Sequence, residues 1–109
     1  METVNERVKK VRHALKLSQV EFSKGILISN GYLASIELGN RKVNSRIIKL
    51  ISTTYEVNEK WLKTGKEGMF SDDFDEKLNR VVNLFKELKP KYKDYILKQI
   101  DQLLELQNS

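Results

Sequence analysis

Apolar residues recur along the first sixty or so positions in short runs spaced by three or four, and the same signals precede each run. Thr3 stands three residues before Glu6, and Val4, Val8, Val11 and Leu15 follow as a helical stripe. Ser18 and Glu21 repeat that capping box, with Leu17 and Phe22 at the spacing of a hydrophobic staple and Ile26 extending the buried face. Ser29 caps a third helix, stapled by Ile28 and Leu33 and stopped by Gly39, which suits a left-handed C-terminal position. Asn44 caps a fourth, with Val43 and Ile48 as staple, running through Leu50 and Ile51 to about Tyr55. Asn58 caps a fifth, with Val57 and Leu62 as staple and Trp61 as a large core filler. No stretch alternates with period two, so the expected fold class is all-α without a sheet.

Two longer stripes follow. Phe74, Leu78, Val81, Phe85 and Leu88 lie on one face of a helix capped by Asp72 or Asp73 and ended by Lys89-Pro90. Pro90 suits the first turn of a second helix carrying Tyr92, Ile96, Ile100, Leu103 and Leu106. These two helices are expected to form a hairpin. So small a unit buries too little to stand alone, so its stripes must either finish the core of the monomer or meet a second surface.

Charge divides the chain at the same place. The net charge is +5, but residues 1–66 hold thirteen Lys and Arg against six acids, a balance of +7, and residues 67–109 hold −2. The break falls at Thr64-Gly65-Lys66-Glu67-Gly68, with its two close glycines. The expected division is therefore a basic five-helix head over 1–66, a linker over 67–73 and a helical hairpin over 74–109. A basic head favours a polyanionic partner.

Composition closes off other classes. There is no cysteine, hence no disulfide framework, thiolate metal site or cysteine nucleophile. No run approaches the roughly 18 apolar residues of a spanning helix, and no leader resembles a signal peptide, so the chain is expected in the cytoplasm, away from membranes. His13 is a lone histidine and reads as an ordinary helix residue. Asp72, Asp73, Asp75 and Glu76 read as capping groups that complement a helix dipole. No catalytic triad, carboxylate dyad or phosphate-cradling glycine loop stands out, so no enzymatic activity, cofactor or metal is expected.

The informative stretch is 17–42, where two short helices meet across a turn near Leu27 to Ser29. At about 100° per residue, Leu33 and Ile36 point to the core. Gly31, Ala34, Ser35 and Leu38 point away, with Asn30 and Tyr32 at the flanks. That outer face is small and uncharged, as a helix entering a major groove requires. A glycine early in a helix costs roughly 1 kcal/mol against alanine. Close approach to a phosphate or a base edge is one reason to keep Gly31.

Residues 7–65 resemble the Cro/repressor-type (Xre) helix-turn-helix domain of phage and bacterial regulators. The resemblance rests on Arg7 and Arg12 of the first helix, Leu17-Ser18-Gln19 with Glu21-Phe22, and Ser29, Tyr32, Leu33, Ile36-Glu37, Gly39 and Arg41. Asn58-Glu59, Trp61-Leu62 and Thr64-Gly65 match the end of the domain. It implies a five-helix, lambda-repressor-like fold. It implies base contacts from Asn30, Gly31, Ala34 and Ser35, and backbone contacts from Gln19, Ser29, Tyr32, Asn40, Arg41 and Lys42. It also implies an ion pair between Arg12 and Glu37, which spacing alone does not show. Three positions depart from the family pattern: Leu27 replaces the usual turn glycine, Val43 a common proline, and Leu38 an often polar residue. Gly25 lies two residues before Leu27, and Ser23 takes the small position between helices two and three. A leucine at positive φ is strained, so the conformation of that turn stays open.

The implied function is sequence-specific binding of double-stranded DNA by a dimeric repressor of phage or mobile-element type. Phe74, Leu78, Val81, Phe85, Leu88, Tyr92, Ile96, Ile100 and Leu103 would form the dimer interface, and the operator would be pseudo-palindromic. The length leaves no room for a separate sensing domain, so control is expected from concentration, a partner or proteolysis. The alternative is an antitoxin-like interaction protein whose C-terminal helices bind a partner protein, with DNA binding secondary.

Overall fold

Five polar caps open the five helices of the head. Thr3 Oγ1 accepts the Glu6 N–H at 3.2 Å and opens α1, Val4–Ala14. Ser18 Oγ accepts the Glu21 N–H at 3.1 Å while Glu21 accepts the Ser18 N–H at 2.9 Å, a complete capping box that starts α2, Gln19–Gly25. Ser29 caps α3, Asn30–Glu37; Asn44 caps α4, Ser45–Tyr55; and Asn58 caps α5, Glu59–Thr64. This computed structural model describes residues 2–109, the Asp73 side chain excepted. It divides into two compact units, residues 1–72 and 73–109.

In the first unit α1 packs on α3 and α5, α2 on α3, and α4 on α5. The staple residues Phe22, Leu33, Ile48 and Leu62 are all buried, together with Val8, Val11, Ile26, Ile36 and Ile51. Arg7 is buried with them. Its guanidinium donates to the Leu62 and Lys63 carbonyls at 2.7 and 2.9 Å, satisfying carbonyls at the end of α5 that lack helical partners. Gly65 stays beside it because a Cβ there would stand 3.3 Å from Arg7 Nη1, at a φ of +79°.

The turn between α2 and α3 keeps the left-handed geometry without glycine. Leu27 sits at φ 60°, with its N–H bonded to the Lys24 carbonyl and the Ile28 N–H to the Ser23 carbonyl. That pairing is a Schellman closure, and α1 ends the same way through Lys16 at φ 57°. Gly25 serves a different purpose. Tyr55 lies against it, stacked on Phe22 and donating its hydroxyl to the Phe22 carbonyl at 3.0 Å, so any side chain at Gly25 would collide with the phenol.

Residues 67–73, expected as a linker, are bound to the head as far as Ser71. The Asn58 N–H donates to the Met69 carbonyl at 2.8 Å and the Ser71 N–H to the Glu56 carbonyl at 2.9 Å. Val57 and Phe70 form an isolated antiparallel bridge, the one departure from an all-helical backbone among the described residues. The physical reason is apolar: Met69 and Phe70 pack against the core.

The second unit holds α6, Asp72–Glu87, apart from its first residue, and α7, Pro90–Asn108. Asp72 is the first helical residue rather than a cap, and the Asp73 side chain, the other candidate, lies outside the described residues. The two helices meet near their junction, where Lys93 Nζ lies 5.7 Å from the centre of the Phe85 ring and Ile96 borders a groove with Val81, Leu84, Phe85 and Leu88. No residue of α7 is buried, and Leu78, Val81, Leu88, Tyr92, Ile96, Ile100 and Leu103 are exposed. Much of each apolar stripe is left exposed, with Phe74 and Phe85 half-buried.

Candidate nucleic-acid interface

Helix α3 holds its inner face by Leu33 and Ile36, both fully buried. Opposite them Asn30 and Gly31 are exposed and Ala34 and Ser35 half-buried, so the four residues expected at base edges share an accessible face. A Cβ on Gly31 would meet nothing within 4 Å. No internal contact therefore demands glycine there. Ser29 Oγ accepts the Tyr32 N–H at 3.0 Å and still has its hydroxyl proton to donate.

The helix ends in a tight closure that presents the basic loop. Gly39, at φ +83°, donates to the Ile36 carbonyl at 2.9 Å, and the Asn40 N–H donates to the Ser35 carbonyl at 2.9 Å. Arg41 then folds back so that its guanidinium carbon lies 4.7 Å from the centre of the Tyr32 ring. Tyr32 is half-buried against the core and supports the cation, while Asn40 and Lys42 stay exposed. Leu38, 76% exposed, occupies the loop position that is often polar.

Behind the loop, Arg12 and Glu37 meet. Arg12 Nε donates to Glu37 Oε2 at 2.7 Å and Nη2 to Oε1 at 2.9 Å, and Nη1 reaches the Leu17 carbonyl at 3.0 Å. Burial alone would raise the Glu37 pKa. Hydrogen bonds from Arg12 and Gln19, with the charges of Arg12 and Lys9, outweigh it and hold the carboxyl below the ordinary range. The carboxylate in turn raises the pKa of Arg12. Gln19, expected at a phosphate, gives one amide hydrogen to Glu37 at 3.1 Å and keeps the other.

Charge concentrates where the loop meets α4. No acid occurs between Leu38 and Tyr55, and Arg41, Lys42, Arg46 and Lys49 in that stretch make no ion pair among the described residues. Elsewhere in the head Glu2, Glu37 and Glu59 are each paired with a base. Arg46 and Lys49 border a shallow groove with Thr53 and Glu59.

The sequence pattern did not single out Arg46 and Lys49, although the absence of acids around them was a readable signal. It also missed Asn5, whose amide nitrogen donates to the Ile36 carbonyl at 2.9 Å and to the Arg41 carbonyl at 2.6 Å. Nothing local marks that residue, since its partners lie more than thirty positions away.

Among the described residues no group of three acids or histidines is placed to hold a metal ion, and no helix is long and apolar enough to cross a membrane. Residues 5–68, more than half of the chain, match the family described as a helix-turn-helix domain. No curated protein and no solved structure gives a match.

Proposed function

The chain belongs to the helix-turn-helix regulators of the Xre/Cro type, whose domain is a non-catalytic DNA-binding module, and on that premise we propose that it is a dimeric cytoplasmic repressor of a pseudo-palindromic operator. The observation that supports this reading best is the outer face of α3. It is small, uncharged and open at Gly31, and it ends in an acid-free basic stretch. In this reading Asn30, Gly31, Ala34 and Ser35 approach base edges, with the Asn30 amide suited to adenine and the Ala34 methyl to a thymine methyl. Ser29, Tyr32, Asn40, Arg41 and Lys42 hold the sugar–phosphate backbone, joined by the free amide hydrogen of Gln19. Arg12 and Glu37 keep α3 fixed against α1.

The apolar faces of α6 and α7 support self-association. A second copy covering them removes from water the stripes that one chain leaves exposed. Two-fold pairing then sets the recognition helices about one DNA turn apart, roughly 34–36 Å. Occupying the operator excludes polymerase.

Titration of duplex DNA with two variants tests the assignment. Asn30→Ala should alter base preference, whereas Arg41→Ala should weaken all sequences alike and lower the salt slope by about one. Equal, sequence-independent losses in both would remove α3 from the reading surface.

A further inference from the structure

The basic loop is held at two points, and only one of them belongs to the loop's own neighbourhood. Arg41 is supported on its side chain by the Tyr32 ring, 4.7 Å away. Its backbone is held from α1, where the half-buried Asn5 amide bridges the Ile36 carbonyl at 2.9 Å and the Arg41 carbonyl at 2.6 Å. One NH₂ group thus ties the last turn of the recognition helix to the middle of the loop that follows it. The Ile36 carbonyl also accepts the Gly39 N–H, so the amide joins the same closure that turns the chain out of α3.

We propose that Asn5 is a positioning residue for DNA backbone binding: it sets the direction of the Arg41–Lys42 loop and so the place where its cations meet phosphate. On α1, Val8 and Val11 serve the core and Arg12 pairs with Glu37. Asn5 alone on α1 donates to a carbonyl of the loop that follows α3, among the described residues. Its neutral amide suits the task, because it supplies two donors without adding charge beside the cations. A phosphate contact depends on a cation being aimed before the encounter, since ordering a long side chain on binding opposes affinity. Without the bridge the loop keeps its sequence and its charge but loses its fixed direction. This inference rests on the reading of Arg41 and Lys42 as backbone contacts.

The test is a mutant cycle on the full chain, with duplexes of random sequence as the probe, because backbone contacts do not depend on an operator. Asn5→Ala should weaken binding several-fold and lower the slope of log affinity against log salt by up to about one, as loss of a phosphate contact does. Placed on Arg41→Ala/Lys42→Ala, the same change should alter affinity by less than about twofold, because the cations it aims are gone. Equal losses in both backgrounds would overturn the proposal, as would an unchanged salt slope. If Arg41→Ala/Lys42→Ala itself binds like wild type, the backbone reading fails, and the proposal with it. Should Asn5→Ala unfold, Asn5→Ser, which keeps a shorter donor, is measured in its place. In the free protein, the nuclear Overhauser contact between the Arg41 guanidinium and the Tyr32 ring should weaken in the Asn5 variant. Its persistence at full strength would overturn the proposal without any DNA.

Discussion

Arg12 on α1 and Glu37, the last residue of α3, face each other in a two-pronged pair, 2.7 Å from Nε to Oε2 and 2.9 Å from Nη2 to Oε1. Their side chains are only 13% and 3% exposed, so this is not a solvent-screened surface contact. Removing one partner strands the other. Glu37→Gln is therefore expected to cost about 3 kcal/mol at neutral pH, read from chemical denaturation.

The pair also sets a pH dependence. Glu37 titrates below its ordinary value of 4.5 in the folded chain, so the unfolded chain takes up the proton first as pH falls. Its contribution is complete above about pH 4.5 and disappears as pH drops through the folded value. The stability gap between wild type and Glu37→Gln should shrink with acidification over that window. A gap that stays constant from neutral pH into acid would show that the carboxylate charge is not what stabilises.

Leu27 holds φ 60° with its side chain 83% exposed. Left-handed backbone costs a non-glycine residue roughly 1–2 kcal/mol, part of which glycine returns through its greater freedom when unfolded. Leu27→Gly loses almost no burial and should stabilise the protein by up to about 1 kcal/mol in thermal or chemical denaturation. A loss of stability would mean that the leucine side chain has a partner in solution.

Gly31 separates folding from function. Its Cβ position is open, so Gly31→Ala should raise stability by up to about 1 kcal/mol, the helix propensity difference. The same variant should bind DNA more weakly, because a methyl group then stands on the face that approaches base edges. Unchanged binding would remove Gly31 from that face.

Truncation distinguishes head from tail. A chain ending at Asp72 keeps Met69 and Phe70 on the core and should unfold cooperatively as a monomer. A chain ending at Lys66 lacks both residues and the Val57–Phe70 bridge, and should be less stable by a few kcal/mol. A dimer from the chain ending at Asp72 would overturn the tail as the interface. Association of the full chain with a different protein, and not with itself, would favour the antitoxin-like reading.

The head was legible because its signals are local. Thr3, Ser18, Ser29, Asn44 and Asn58 each cap the helix their spacing announces, and Phe22, Leu33, Ile48 and Leu62 are buried where the staple pattern places them. What escaped depends on contacts distant in sequence. Asn5 reaches the loop after α3, Arg7 reaches the end of α5, and Gly25 is small because Tyr55 arrives thirty positions later. The fold-back of Met69 and Phe70 was hidden beside two glycines that read as a linker. What covers the exposed residues of α6 and α7 was not legible, because an amphipathic stripe does not say which surface it meets.

Selection of bound sequences from random duplex DNA with the full chain decides whether the protein reads an operator. One inverted repeat should be enriched, with half-sites about 10–10.5 base pairs apart, and binding should weaken steeply with salt. Enrichment of no sequence, with binding indifferent to base content, would contradict a dimer that reads an operator through α3.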